Sequence, residues 1–157
     1  MAAISASAKS LRGRGQSSAV WTREMKSVLC SDIMPGQHVW TAGVQEPKFG
    51  EWLVDLVRFD ADIGGWGAKL SRIRLAMESE WLKDDKEVLY DFYKLLAVKA
   101  DYRVMICEVK AGRVKERLEL FREAYNGFGP KYPGERMLMA CWDDHLGKFE
   151  FGVEVTS

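Results

Sequence analysis

The sequence predicts an α/β fold, a mixed β-sheet flanked by helices, on three observations. Strand and helix periodicities alternate along the chain in the order helix, weak strand, strand, strand, helix, strand, helix, strand, strand. Tyr102 to Val109 is apolar on both faces, the pattern of a central strand covered by helices. The chain has 157 residues, 47% of them hydrophobic and 29% charged, a globular composition with room for one ordinary domain and not two.

The elements follow in order. Met1 to Ser18 is rich in Ala, Ser and Gly, and reads as a disordered basic N-terminal tail ahead of a single domain over 19–157. Ala19 to Ile33 carries Trp21, Met25, Val28 and Leu29 at helical spacing, and Pro35-Gly36 ends that helix. His38 to Val44 is a short first strand, and Pro47 with Gly50 marks a turn. Glu51 to Phe59 is a strand rich in Trp, Leu, Val and Phe, and Asp60 to Gly67 a glycine-rich loop.

Ser71 to Trp81 alternates. Ile73, Leu75, Met77 and Trp81 fall on one face, with Arg72, Arg74, Glu78 and Glu80 on the other. Asp84, with Glu87 three residues later, imitates a capping box for a helix running to about Ala100. After the Tyr102 strand, Gly112 breaks the chain and Arg113 to Tyr125 forms a helix that Asn126-Gly127 can cap. Arg136 to Trp142 and Lys148 to Val155 are two last strands joined through Asp143-Asp144-His145-Leu146-Gly147.

Lys+Arg and Asp+Glu balance at 23 each, so no global charge marks a nucleic-acid or membrane binder. Within that balance residues 1–28 carry five cations (Lys9, Arg12, Arg14, Arg23, Lys26) against Glu24, a net of +4 on a modestly acidic body. No apolar run reaches the roughly 18 residues of a membrane span, and the first residues lack the apolar block of a secretory signal. Cys30, Cys107 and Cys141 are too few and too far apart for a disulfide framework, so a reducing, cytoplasmic setting is expected. Cys141 and His145 are four apart, but zinc would need two further soft ligands.

Three sets of residues carry chemistry. Asp55 falls on an apolar strand with Leu53, Val57 and Phe59, where a carboxylate is costly unless paired or bound to a cation. Its bland reading is an ion pair with Arg72 or Arg74. Glu78 and Glu80 share a strand face about 7 Å apart; they either favour a bound cation or form a solvated surface. Asp91 and Lys94 lie three apart on the next helix. Asp91 flanks the apolar stripe of Val88, Phe92, Leu95 and Leu96, and Lys94 reaches a sheet-edge site only along its flexible stem. A strand Asp, an acidic pair and a nearby Lys form the set that metal-assisted phosphodiester hydrolysis needs.

Asp55, Glu78-Ser79-Glu80 and Asp91-Phe92-Tyr93-Lys94-Leu95-Leu96, in this order of elements, resemble the PD-(D/E)XK (restriction-endonuclease-like) nuclease superfamily over roughly residues 19–110. Asp55 and Glu78 match its two acidic positions. Glu80 stands where the superfamily has Lys, and Lys94 matches variants with the lysine moved to the following helix, as in similar uncharacterised bacterial proteins. The resemblance implies a restriction-endonuclease-like α-β-β-β-α-β core and a Mg²⁺- or Mn²⁺-dependent endonuclease acting on nucleic acid, DNA before RNA. In it Asp55, Glu78 and Glu80 are the metal ligands, Lys94 is the cationic assistant, Glu24 and Asp91 are accessory residues, and a homodimer forms. Its alternative is the same fold as a catalytically inactive binding or interaction module. A third reading is a structural α/β protein whose carboxylates pair with Arg58, Arg72 and Arg74. The six tryptophans suit any of the three.

Overall fold

The computed structural model describes residues 2–11, 16–31, 33–41, 53–62 and 69–156. The expectations for residues 42–52, 63–68 and the basic pair Arg12 and Arg14 lie outside them. Among them ten elements follow in order: α1 (Ala2–Leu11), α2 (Ser18–Cys30), β1 (Gln37–Thr41), β2 (Leu56–Asp62), β3 (Lys69–Glu80), α3 (Asp85–Ala97), β4 (Tyr102–Val109), α4 (Val114–Gly127), β5 (Arg136–Asp143) and β6 (Lys148–Val155). The strands form one open sheet in the order β1-β2-β3-β4-β5-β6. The first three make an antiparallel meander, α3 and α4 carry the chain across to the parallel neighbours β4 and β5, and β6 returns antiparallel.

Two cores follow from the two faces of the sheet. On one, Val88, Phe92 and Leu95 of α3 and Leu118 and Phe121 of α4 pack over Val57, Phe59, Ala76, Met105 and Met139. Phe92 and Phe121 stack with ring centroids 4.4 Å apart and join the two helices; truncating either to Ala would cost about 3–5 kcal/mol. On the other, Ala8 of α1 and Met25 of α2 cover Leu56, Met77, Ile106 and Trp142. Trp21 lies 4.9 Å from Trp81 and 5.3 Å from Trp142, so three of the tryptophans are core aromatics. Cys107 and Cys141 are register partners on β4 and β5, buried free thiols with their sulfurs 3.7 Å apart.

Asp84 caps α3 as its spacing predicts, accepting hydrogen bonds from the backbone N–H groups of Lys86 and Glu87. The helix stops at Ala97, three residues short of the expected end. α4 runs on through Gly127, so Asn126-Gly127 is its last turn and not its cap.

Four differences bear on the site. Residues 2–11 form a helix where a disordered tail is expected, and Ala8 and Leu11 are buried; an Ala-rich segment free of Gly and Pro has little helical cost once it finds a surface to cover. Regular β2 starts at Leu56, not Glu51, and extends to Asp62. Leu53, with φ 62°, breaks the alternation expected around Asp55. The alternation along β3 also fails: Arg58 pairs with Leu75 but Phe59 with Ile73, so Arg74 is the extra residue of a bulge. That bulge turns Ile73 onto the α3 side while Leu75 and Met77 stay on the α2 side.

Candidate active site at the C-terminal end of β3

β3 delivers its last residues where β2 begins and α3 sets out, and α2 crosses the opposite face. Glu78 and Glu80 share parity with the buried Ala76 and face the layer of α3. Glu78 is only 3% exposed, which overturns the solvated-surface reading for this residue. The amphipathic helix α3 lies over it, and from that helix Lys94 extends its ammonium to 2.6 Å from Glu78 Oε1 and 2.8 Å from Asp91 Oδ1. The long stem is what permits this reach from beside the apolar stripe.

Burial is the largest influence on Glu78 and raises its pKa to about 8. The Lys94 ammonium opposes that rise, and the neighbouring charges of Asp55 and Asp91 reinforce it. Burial works against the Lys94 charge too, but Asp91 and Glu78 outweigh it and hold the ammonium protonated well above its usual range. Glu80 is raised by burial first, partly opposed by the Leu82 N–H that its Oε1 accepts at 2.6 Å, and raised again by a hydrogen bond with the Asp91 carboxyl. Asp91 therefore stands beside both Glu80 and Lys94.

Asp55 sits one residue before β2, its backbone carbonyl accepting from the Thr41 hydroxyl at 2.9 Å. Its Oδ2 accepts from the Ser79 N–H and the Ser79 hydroxyl, both at 2.9 Å. Its Oδ1 lies 3.3 Å from Lys26 Nζ, and Lys26 is a buried lysine of α2. Thr22, one turn earlier on α2, completes this side: its Oγ1 lies 3.0 Å from the Ser79 hydroxyl and accepts from the Trp81 indole N–H at 3.0 Å.

Arg72 and Arg74 do not partner Asp55. Arg74 holds Asp60 and Asp101, and Arg72 holds Asp101. Arg58 likewise turns away, to the Leu29 carbonyl and Gln37. Glu24 is two residues from Lys26, about 200° around the helix, so the face of α2 that meets Asp55 presents Lys26 in place of the expected Glu24.

The structure thus gathers Glu78, Glu80, Asp91 and Lys94 on the α3 side. Asp55 lies across the strand end, engaged from the α2 side and close enough for its charge to act on Glu78. Among the described residues, no group of three or more His, Cys, Asp or Glu is gathered tightly enough to hold a metal ion. The donors are all hard oxygens, the kind that suit Mg²⁺ or Mn²⁺, and in this conformation ammonium groups neutralise two of them. Lys26, Thr22 and Ser79 were not singled out from sequence. The i, i+4 spacing of Thr22 and Lys26 beside Met25 and Leu29 is the signal that marks one polar strip inside an apolar helix face.

Compared with protein-family models, with curated proteins and with solved structures, the chain matches none of them.

Proposed function

We propose that this protein is a metal-dependent nuclease of the restriction-endonuclease-like kind that hydrolyses phosphodiester bonds in nucleic acid, with DNA the expected substrate. The observation that carries this reading is the buried Glu78 at the end of β3, with Lys94 of the following helix on its carboxylate. A carboxyl group withdrawn from water is pushed toward its neutral form, and groups perturbed in this way concentrate at functional sites. The antiparallel meander followed by a helix and a parallel strand supports the fold part of the proposal.

Glu78, Glu80 and Asp55 are the oxygen donors that would hold Mg²⁺ or Mn²⁺. Such an ion, when bound, acidifies a coordinated water and offsets charge on the phosphate oxygens. Lys94, kept charged by Asp91, stands as a fixed cation beside the place where negative charge develops. Asp91 and Ser79 position it and Asp55 respectively. Pairing of two such sites in a homodimer would cut both strands.

The pairing of Asp55 with Lys26 favours a second reading, an inactive binding module of the same fold, because that carboxylate is already neutralised. Cleavage of single- and double-stranded DNA and RNA with Mn²⁺ decides between them. Hydrolysis lost in EDTA and in Asp55→Asn is the expected result. Hydrolysis that persists in Asp55→Asn overturns the assignment, and binding of nucleic acid without cleavage establishes the module.

A further inference from the structure

β3 begins well before its parallel neighbour. Its pairing with β4 starts at Leu75 and Tyr102, so Lys69 to Arg74 run past the start of β4 alongside β2. The Asp101 N–H bonds the Ile73 carbonyl at 3.1 Å and ties the approach to β4 against that arm. On the far side the turn into β5 is closed by the Glu135 N–H on the Tyr132 carbonyl at 3.2 Å. Between these walls lies an open groove of about 860 Å³. Past Tyr132 and Lys99 it continues into a second hollow of about 360 Å³. Both lie at the opposite end of the sheet from Glu78.

The cations of this groove fall into two kinds. Arg72 and Arg74 hold Asp101, Arg74 also holds Asp60, and Arg103 holds Glu135. Those pairs engage both carboxylates of the lining, Asp101 and Glu135. Lys99, Lys131 and Arg136 are the other kind: among the described residues none of them has a carboxylate in ion-pair reach, and each rests on a tyrosine. Lys99 Nζ is 4.2 Å from the centre of the Tyr132 ring, Lys131 Nζ is 5.0 Å from that of Tyr125, and the Arg136 guanidinium is 5.4 Å from that of Tyr102. A cation on a ring face keeps N–H donors open to water, whereas one forked onto a carboxylate does not. Lys99 and Arg136 are exposed, and Tyr102 and Tyr132 are 46% and 48% exposed. Tyr102 and Arg136 are register partners on β4 and β5, so the sheet itself sets that ring beside that charge.

We propose that this groove binds single-stranded nucleic acid, its bases against Tyr102 and Tyr132 and its phosphates against Lys99, Lys131 and Arg136. Charge complementarity selects a polyanion, and the exposed rings select one with flat faces to stack on them. A duplex keeps its base faces inside its own stack. An acidic peptide would answer the ammonium groups but leave the rings in water. The proposal stands on this groove alone, concerns binding only, and needs neither a metal ion nor cleavage at Glu78.

Fluorescence anisotropy of a labelled oligothymidylate in EDTA tests it, at about 12 nucleotides, within the roughly 4–16 that one such binding surface covers. Tyr102→Ala/Tyr132→Ala should weaken binding about tenfold or more. Tyr102→Phe/Tyr132→Phe, which keeps both rings, should bind as the wild type does. All these side chains are exposed, so the variants keep their fold. Affinity for a single strand falls with salt by a log–log slope of about −0.7 per phosphate neutralised. Three open cations therefore predict a slope of about −2, and Lys99→Ala/Arg136→Ala one of about −0.7. Equal affinity for the same strand annealed to oligodeoxyadenylate overturns the proposal. So does displacement by polyglutamate as effective as by unlabelled oligothymidylate, or an affinity that neither alanine variant changes. Binding lost in Glu78→Gln but kept in Tyr102→Ala/Tyr132→Ala overturns it too, by placing the strand at the other end of the sheet. Failure of the nuclease reading looks different: this binding remains and Mn²⁺-dependent cleavage is absent.

Discussion

Two clusters of carboxylates and cations occupy opposite ends of β3, and they are built differently. At its N-terminal half Arg72 and Arg74 meet Asp60 and Asp101 at 2.6–3.3 Å, with the arginines 57% and 39% exposed. At its C-terminal end the Glu78 side chain is 4% exposed and answered by a lysine on a helix. Exposed pairs are solvated whether or not they form, so their geometry carries little free energy. Glu78 escapes the cost of a buried charge by holding its proton up to about pH 8, a perturbation that the exposed cluster does not show.

The comparison can be broken from either end. The largest contrast should be in catalysis. Lys94→Ala and Glu78→Gln should each lower the rate of Mn²⁺-dependent cleavage by about 10²–10³-fold, while Arg72→Ala leaves it within about twofold; equal losses at both ends would erase the distinction. Next is Lys26→Met, which leaves Asp55 near α2 without its ammonium. Unfolding in urea should show a loss of about 2–4 kcal/mol, and adding Asp55→Asn should return part of it.

The pH dependence of Glu78 is a third measure. Its native pKa of about 8 lies above the 4.5 of a free glutamic acid, so the folded chain holds this proton more tightly. That contribution is complete below about pH 4.5, declines as the unfolded chain ionises, and is gone above about pH 8. Wild-type stability should therefore fall between pH 5 and 8 by on the order of 3 kcal/mol more than that of Glu78→Gln. Lys94 adds nothing in this window, because its raised pKa acts only above the usual lysine range. The smallest effects are structural. Asp84→Ala should cost about 1 kcal/mol through the lost cap, and Arg72→Ala less than about 1 kcal/mol in the same melts.

Where a signal was local, it was legible in the sequence. β4 matches its predicted bounds because apolar residues on both faces leave one solution, and α3 begins at Asp85 because Asp84 is a cap by chemistry alone. The bulge at Arg74 was not legible, since it depends on how β2 offers partners, and with it went the simple alternation of β3. For the site, Glu78 and Lys94 were named from their spacing, but the burial of one and the reach of the other are set by α3 crossing the sheet. The partner of Asp55 was missed because it comes from α2, 29 positions earlier, as a lysine inside a helix that reads as ordinary amphipathic surface.

Leu53 is the one non-glycine residue with positive φ among the described residues. A branched side chain at φ 62° stores roughly 1–2 kcal/mol of steric tension two residues before Asp55. Leu53→Gly should release that tension and make the protein harder to melt, yet let the acid behind it swing more freely. The fold thus keeps one tense backbone angle at the entry to β2 and gives up a little overall stability to hold it.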